Sequence, residues 1–250
     1  MSHSAASPLR RVGVATGLTV LGIVLGVLLS IPAIVVSLDA LTQFVAALVL
    51  QELGFVAAAL VFLRATSHGF DYLNVRSPTG RALGFVVGGT VALFVFRLVA
   101  ILTAQALGLP LAGNSVTQLA EEGYLTTLLA LVPLSILVVG PAEELLFRGV
   151  IQRYLDDAIS TLPAILISSV LFALVHIPTT VIATPNPVAV GVTLVILFGL
   201  SILLGYLYVW TENLVVPILV HGLYDALIFA LAYWALSSGL VEMSAGTGFW

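Results

Sequence analysis

An all-α membrane protein, a polytopic bundle of seven transmembrane helices (eight if one more short segment crosses), is the fold class that three observations predict. The 250-residue chain is 60% hydrophobic and only 8% charged, with a mean hydropathy of +1.20. Soluble domains carry roughly 25% charged residues, so this chain cannot cover a surface facing water. Apolar runs of about 20 residues, the length a bilayer core demands, recur seven times. Glycine, proline, asparagine and aspartate cluster in the gaps between them.

The first run, 12–36, follows Arg10 and Arg11. Its apolar stretch is too long for a signal-peptide core and more spans follow, so it reads as a retained span. Asp39 marks the break before the second run, 41–63. The loop "SHGFDYLNVRSPTGR" (67–81) precedes the third, 82–107, and "GLPLAGNS" (108–115) leads towards the fourth, 125–155. Just before the fourth, Glu121 and Glu122 form an acidic pair with no arginine four or five places later, which reads as an interfacial helix start. The fifth run, 161–177, meets "IPTTVIATPNP" (177–187); the sixth and seventh cover 188–210 and 214–236. Small residues inside every run allow close helix packing. No internal repeat is visible. Residues 1–250 therefore read as a single membrane domain, with a motif-bearing core at 125–236.

Charge narrows the function classes. The net charge is −4, so no basic surface exists to neutralise nucleic-acid phosphates. The absence of cysteine excludes disulfides, thiol catalysis and cysteine-held metal clusters. With the N-terminus in the cytoplasm, Arg10, Arg11, Arg64, Arg76, Arg81 and Arg153 all fall in or beside inner segments. That is a positive-inside pattern and predicts a multi-pass protein of the cell membrane, its C-terminal tail outside.

Polar residues within the spans are the candidates for chemistry. A charge at the centre of a span costs roughly 2.5 to 3.5 kcal/mol. Those carrying it are Glu52, Arg97, Glu143, Glu144, Arg148, His176, His221 and Asp225. Glu144 and Arg148, four apart, share a helix face and suit an ion pair. Glu143 points about 100° away, and a carboxylate facing a cavity beside a histidine is a potential general base. Gly140 and Pro141 precede it, and the proline removes a backbone hydrogen bond and bends the helix. Phe172 can cover His176, and Asp225 can fix the tautomer of His221 or lie beside it. Counted at about 1.5 Å per residue from the helix ends near Leu155, Thr161 and Thr211, Glu143 lies about 18 Å deep, His176 about 22 Å, and His221 and Asp225 about 15 and 21 Å. The three helices can thus bring these groups to one level. For Glu52 and Arg97 the sequence suggests only a partnering of the second and third helices.

These residues carry a resemblance. "EELLFR" (Glu143, Glu144, Arg148), "FALVH" (Phe172, His176) and "HGLYD" (His221, Asp225) look like the three ordered motifs of the CAAX protease and bacteriocin-processing, or Abi, family of intramembrane proteases. The type II CAAX prenyl endopeptidases belong to that family. The resemblance covers roughly 125–236. It implies an endopeptidase acting in a membrane cavity on a membrane-embedded or lipidated peptide. By position, Glu143 and His176 would activate water, His221 and Asp225 would stabilise the oxyanion, and Glu144, Arg148 and Phe172 would support the site. Asparagine is frequent where Asp225 stands; an aspartate donates a hydrogen bond only when protonated, and otherwise orients His221.

The resemblance leaves two points open. Glu143, His176 and His221 would suffice as zinc ligands, but there is no HExxH helix, and a metal-free, glutamate-activated water is the reading preferred. A non-catalytic immunity or scaffold protein of the same fold, or a transporter using the intramembrane charges, are the alternative functions. Nothing in the sequence selects the substrate.

Overall fold

The computed structural model describes residues 7–113, 116 and 125–239. Among the described residues the chain is all-helical without strands, and seven helices are long and apolar enough to cross a membrane. They are α1 Pro8–Val35, α2 Ala40–Ala65, α3 Gly80–Ala106, α4 Thr126–Asp156, α5 Thr161–Ala183, α6 Pro187–Thr211 and α7 Val215–Ser237. This is an integral, multi-pass membrane protein. Glu121, Glu122 and the tail beyond 239 lie outside the described residues.

Local chemistry sets the helix starts. Ser7, Asp39, Thr79 and Asn186 each accept a hydrogen bond from a first-turn amide of α1, α2, α3 and α6, satisfying donors that have no partner inside a helix. Hydrogen bonding from Thr42 holds the Asp39 carboxyl below its usual range. The fifth span runs past the expected end at 177. After a turn at Val175 and His176 the helix resumes from Ile177 to Ala183. Pro178 does not stop it, because a proline in the first turn removes an amide that would be unbonded anyway.

Glycine sets the closest helix contacts. A Cβ on Gly54 of α2 would collide with the Gly26 backbone of α1, so the α1–α2 pair packs backbone to backbone. Helix α4 occupies the centre, packed on α2, α5 and α7, while α3 packs on α6 and α7. A Cβ on Gly222 would come within 2.8 Å of the Ser135 carbonyl, and one on Gly140 within 2.9 Å of the Ile218 carbonyl. These two glycines let α7 lie against α4 where the motif residues stand.

Within α4, π-helical stretches at Ser135–Val139 and Leu145–Gln152 flank a short α segment, Gly140–Glu144. Pro133 and Pro141 fall in this region, and each lacks an amide donor. Wider π turns are frequent at functional sites. Near the Asp156 end of α4, Arg11 donates to the Tyr154 carbonyl at 2.6 Å and lies over the Tyr154 ring, while Arg153 lies over Tyr72. Burial in this cluster pushes the Tyr72 phenol well above its usual range.

Candidate active site

Glu144 has no exposed surface and Arg148 only 1%. The Glu144 Oε1 accepts from Arg148 Nη1 at 2.9 Å and from His221 Nδ1 at 2.8 Å. Arg148 Nη2 also donates to the Ser201 hydroxyl at 2.8 Å and to its carbonyl at 3.1 Å. The expected helix-face pair is present, and it reaches further than spacing indicated, because it holds α4, α6 and α7 together through one carboxylate.

Each histidine has its tautomer set by what faces Nδ1. His176 Nδ1 lies 2.9 Å from the Phe172 carbonyl, which can only accept, so Nδ1 carries the proton. His221 Nδ1 faces an oxygen already accepting from Arg148, so it too donates. Both rings therefore turn Nε2 towards Glu143. His176 Nε2 lies 3.9 Å from Glu143 Oε1, and His221 Nε2 lies 3.7 Å from Glu143 Oε2. Asp225 Oδ2 is 3.3 Å from His221 Nε2. Asp225 thus lies beside the reactive nitrogen, and Glu144 is the carboxylate on Nδ1. Phe172 stands between the rings, its centroid 5.0 Å from that of His176 and 6.0 Å from that of His221. The Arg148 guanidinium stacks on it at 4.8 Å.

Glu143, His176 and Asp225 line one cavity of about 390 Å³ whose wall is drawn from α2 through α7. Its size falls in the range of small-ligand sites. Glu52 and Arg97 also line it. No ion pair joins those two among the described residues, so they do not couple helices two and three as the sequence suggested. Glu52 is only 3% exposed, and its Oε2 has no hydrogen-bond partner.

A zinc ion would need three donors converging on one point. Among the described residues, no group of three or more histidine, aspartate or glutamate side chains has such an arrangement. Glu143 presents one oxygen to each imidazole instead of a single oxygen to both. As placed, Glu143, His176 and His221 do not fit a metal, and no step below runs through one.

Sequence reasoning missed Ser201 and Gln152, which tie α4 to α6. Gln152 donates to the Gly205 carbonyl at 3.1 Å, and Cβ on Gly205 would press on that amide. The available signal was a serine and a glycine four apart, "SILLG", on an otherwise oily helix.

Residues 125–227 match the family model described as Type II CAAX prenyl endopeptidase Rce1-like. Among curated proteins, the "Uncharacterized protein YpbD" of Bacillus subtilis (strain 168) is 32% identical over 94 residues, which are 38% of this chain and 41% of that protein. The match therefore spans about two fifths of that relative's length. No solved structure matches the chain significantly. The resemblance read from the three motifs is borne out over the segment that carries them. Helices α1 to α3 lie outside the matched residues.

Proposed function

We propose that this membrane protein, similar over residues 125–227 to the type II CAAX prenyl endopeptidases, is an intramembrane endopeptidase of the cell membrane. Its substrate is a membrane-associated or lipidated peptide. The observation that carries the reading is the meeting of Glu143 with the Nε2 atoms of His176 and His221 on an internal cavity.

The gaps of 3.7 and 3.9 Å around Glu143 exceed a direct hydrogen bond. They suit a water molecule that lies to the cavity side of the gap and bonds to both carboxylate and imidazole. Glu143 takes a proton from that water while its oxygen adds to the peptide carbonyl carbon, with His176 Nε2 orienting the second hydrogen. The carbonyl oxygen becomes an oxyanion beside His221. Flanked by Glu144 at Nδ1 and Asp225 at Nε2, His221 is arranged as an imidazolium, the form able to donate from Nε2. Glu143 then passes its proton to the leaving nitrogen as the C–N bond breaks. The products are a free amine and a carboxylic acid, which becomes a carboxylate by giving the second water proton to His176 Nε2. Glu144, Arg148 and Phe172 position His221 and His176.

Glu143→Ala and His176→Ala are expected to lower cleavage by about 10²- to 10⁴-fold, the range for loss of a general base, while both proteins still insert and fold. Cleavage at the wild-type rate by both variants would refute the proposal. Asp225→Asn is expected to retain substantial activity, because the amide oxygen can accept from His221 Nε2 in place of the carboxylate and the amide nitrogen can itself donate to the oxyanion. Comparing membrane-protein termini between wild-type cells and a Glu143→Ala strain identifies the substrate.

A further inference from the structure

The cavity beside Glu143 occupies one half of the bundle, and the other half is filled. Helices α2, α4 and α6 start, and α3, α5 and α7 end, on the face that carries the α1–α2, α3–α4 and α5–α6 connections. Counted at about 1.5 Å per residue from that face, Glu52 lies about 18 Å deep, Leu197 about 15 Å, Arg97 about 13 Å and His176 about 10 Å. All four line the cavity, as do Ala112 and Gly113 of the α3–α4 connection. The Ala112 amide donates to the Thr193 hydroxyl and the Gly113 amide to the Thr184 hydroxyl, both at 3.0 Å, which fixes that connection at the rim. Among the described wall residues, only Glu143 and Asp225 lie beyond the midpoints of their helices. The reacting groups are the floor.

Beneath that floor the packing is closed. On α4, the side chains of Leu146, Phe147, Val150, Ile151 and Leu155 have no exposed surface. They pack with Phe55 and Phe62 of α2 and with Leu214 just before α7. This apolar plug fills the roughly 20 Å between Glu143 and the Asp156 end of α4, and an interior packed in this way leaves no passage for a peptide. Arg10, Arg11, Arg64, Arg76, Arg81 and Arg153 all lie at the plugged end, and the connections at the cavity end contain no arginine. The positive-inside rule makes the plugged end cytoplasmic.

We infer that water and substrate reach Glu143 from the extracytoplasmic side, and that the substrate is a membrane-anchored peptide whose scissile bond lies in or just beyond the outer leaflet. A tail confined to the cytoplasm meets the plug and not the carboxylate. The substrate is therefore a segment already carried across the membrane, and the step that supplies it is export. Cleavage of that segment rests on the endopeptidase reading; the side of access does not.

The test uses the full-length chain in cells that express it, with single cysteines placed in a sequence that has none. Ser37→Cys and Ser77→Cys mark the outer and cytoplasmic faces. Leu197→Cys lies on the cavity wall and Val150→Cys in the plug. A cationic, membrane-impermeant methanethiosulfonate is expected to modify Leu197→Cys and Ser37→Cys as fast in intact cells as in permeabilised ones. Ser77→Cys is expected to react only after permeabilisation, and Val150→Cys under neither condition. Leu197→Cys that reacts only after permeabilisation, or never, overturns the proposal. So does reaction of Val150→Cys once the cytoplasm is opened, or reversal of the two face markers. If Leu197→Cys does not fold, Thr179→Cys on the same wall takes its place. Mapping membrane-protein termini in wild-type and Glu143→Ala cells reads the substrate. Termini that depend on Glu143 are expected on the outer side of each substrate's anchor; cytoplasmic ones overturn the proposal. Outer labelling with no Glu143-dependent terminus sinks the endopeptidase and keeps the outward-facing cavity.

Discussion

Glu144 gives one buried oxygen to two donors, Arg148 and His221, so its removal and the removal of a donor have different consequences. Arg148→Met leaves the buried carboxylate without its guanidinium and with His221 as its one remaining donor, and such half-broken pairs cost about 3 to 5 kcal/mol. A large fall in the thermal unfolding midpoint in detergent, together with lost activity, is expected. Ser201→Ala removes one of two acceptors on Arg148 Nη2 while the Ser201 carbonyl remains. The expected cost is about 1 kcal/mol, read in the same melt. An equal loss in both variants would mean that the pair is not what fixes this region. The Glu144–Arg148 pair was legible in the sequence because helical spacing alone makes it. Ser201 was not, since its partner lies 53 positions away and no local pattern links them.

At the scale of helices, the approach of α7 to α4 depends on two missing side chains. Gly222→Ala must push α7 away from the Ser135 carbonyl, and His221 moves with it. A displacement of about 1 Å at a reacting group can cost on the order of 100-fold in rate. Cleavage is therefore expected to fall far more than helix content by circular dichroism. Gly84→Ala, where a Cβ meets nothing within 4 Å, is the control and keeps full activity. The spans themselves were legible as apolar runs, with boundaries close to those found, because length and hydropathy decide what crosses a bilayer. The π-helical turns of α4 were not. Gly-Pro announced a disturbed helix, but which carbonyls change partner depends on how α4 and α7 pack, and hydropathy does not carry that information. The extension of α5 to Ala183 escaped for a related reason, as a proline reads as a stop until its place in a first turn is known.

For the whole molecule, the arginine distribution predicts the N-terminus in the cytoplasm, and the cysteine-free sequence makes the check direct. A cysteine at Ser37, exposed between α1 and α2, should react with a membrane-impermeant maleimide in intact cells. One at Ser77, exposed before α3, should react only after permeabilisation. The reversed pattern would overturn the orientation. Which polar residues share a cavity is also a property of the whole. Glu143, His176, His221 and Asp225 were legible as a group because depth along each helix can be counted. Arg97 and Glu52 joined them only once six helices were placed around a common space.

Phe172 has a use that does not depend on any assay of hydrolysis. Its ring lies beside both imidazoles, and the magnetic field of an aromatic ring shifts the resonances of nuclei near it. The chain has four histidines, and His68 stacks on Tyr72, well apart from this group. Histidine-selective isotope labelling therefore yields a spectrum in which two imidazoles respond together to Phe172→Leu. Those same two signals report the protonation and the occupancy of the cavity from within the membrane.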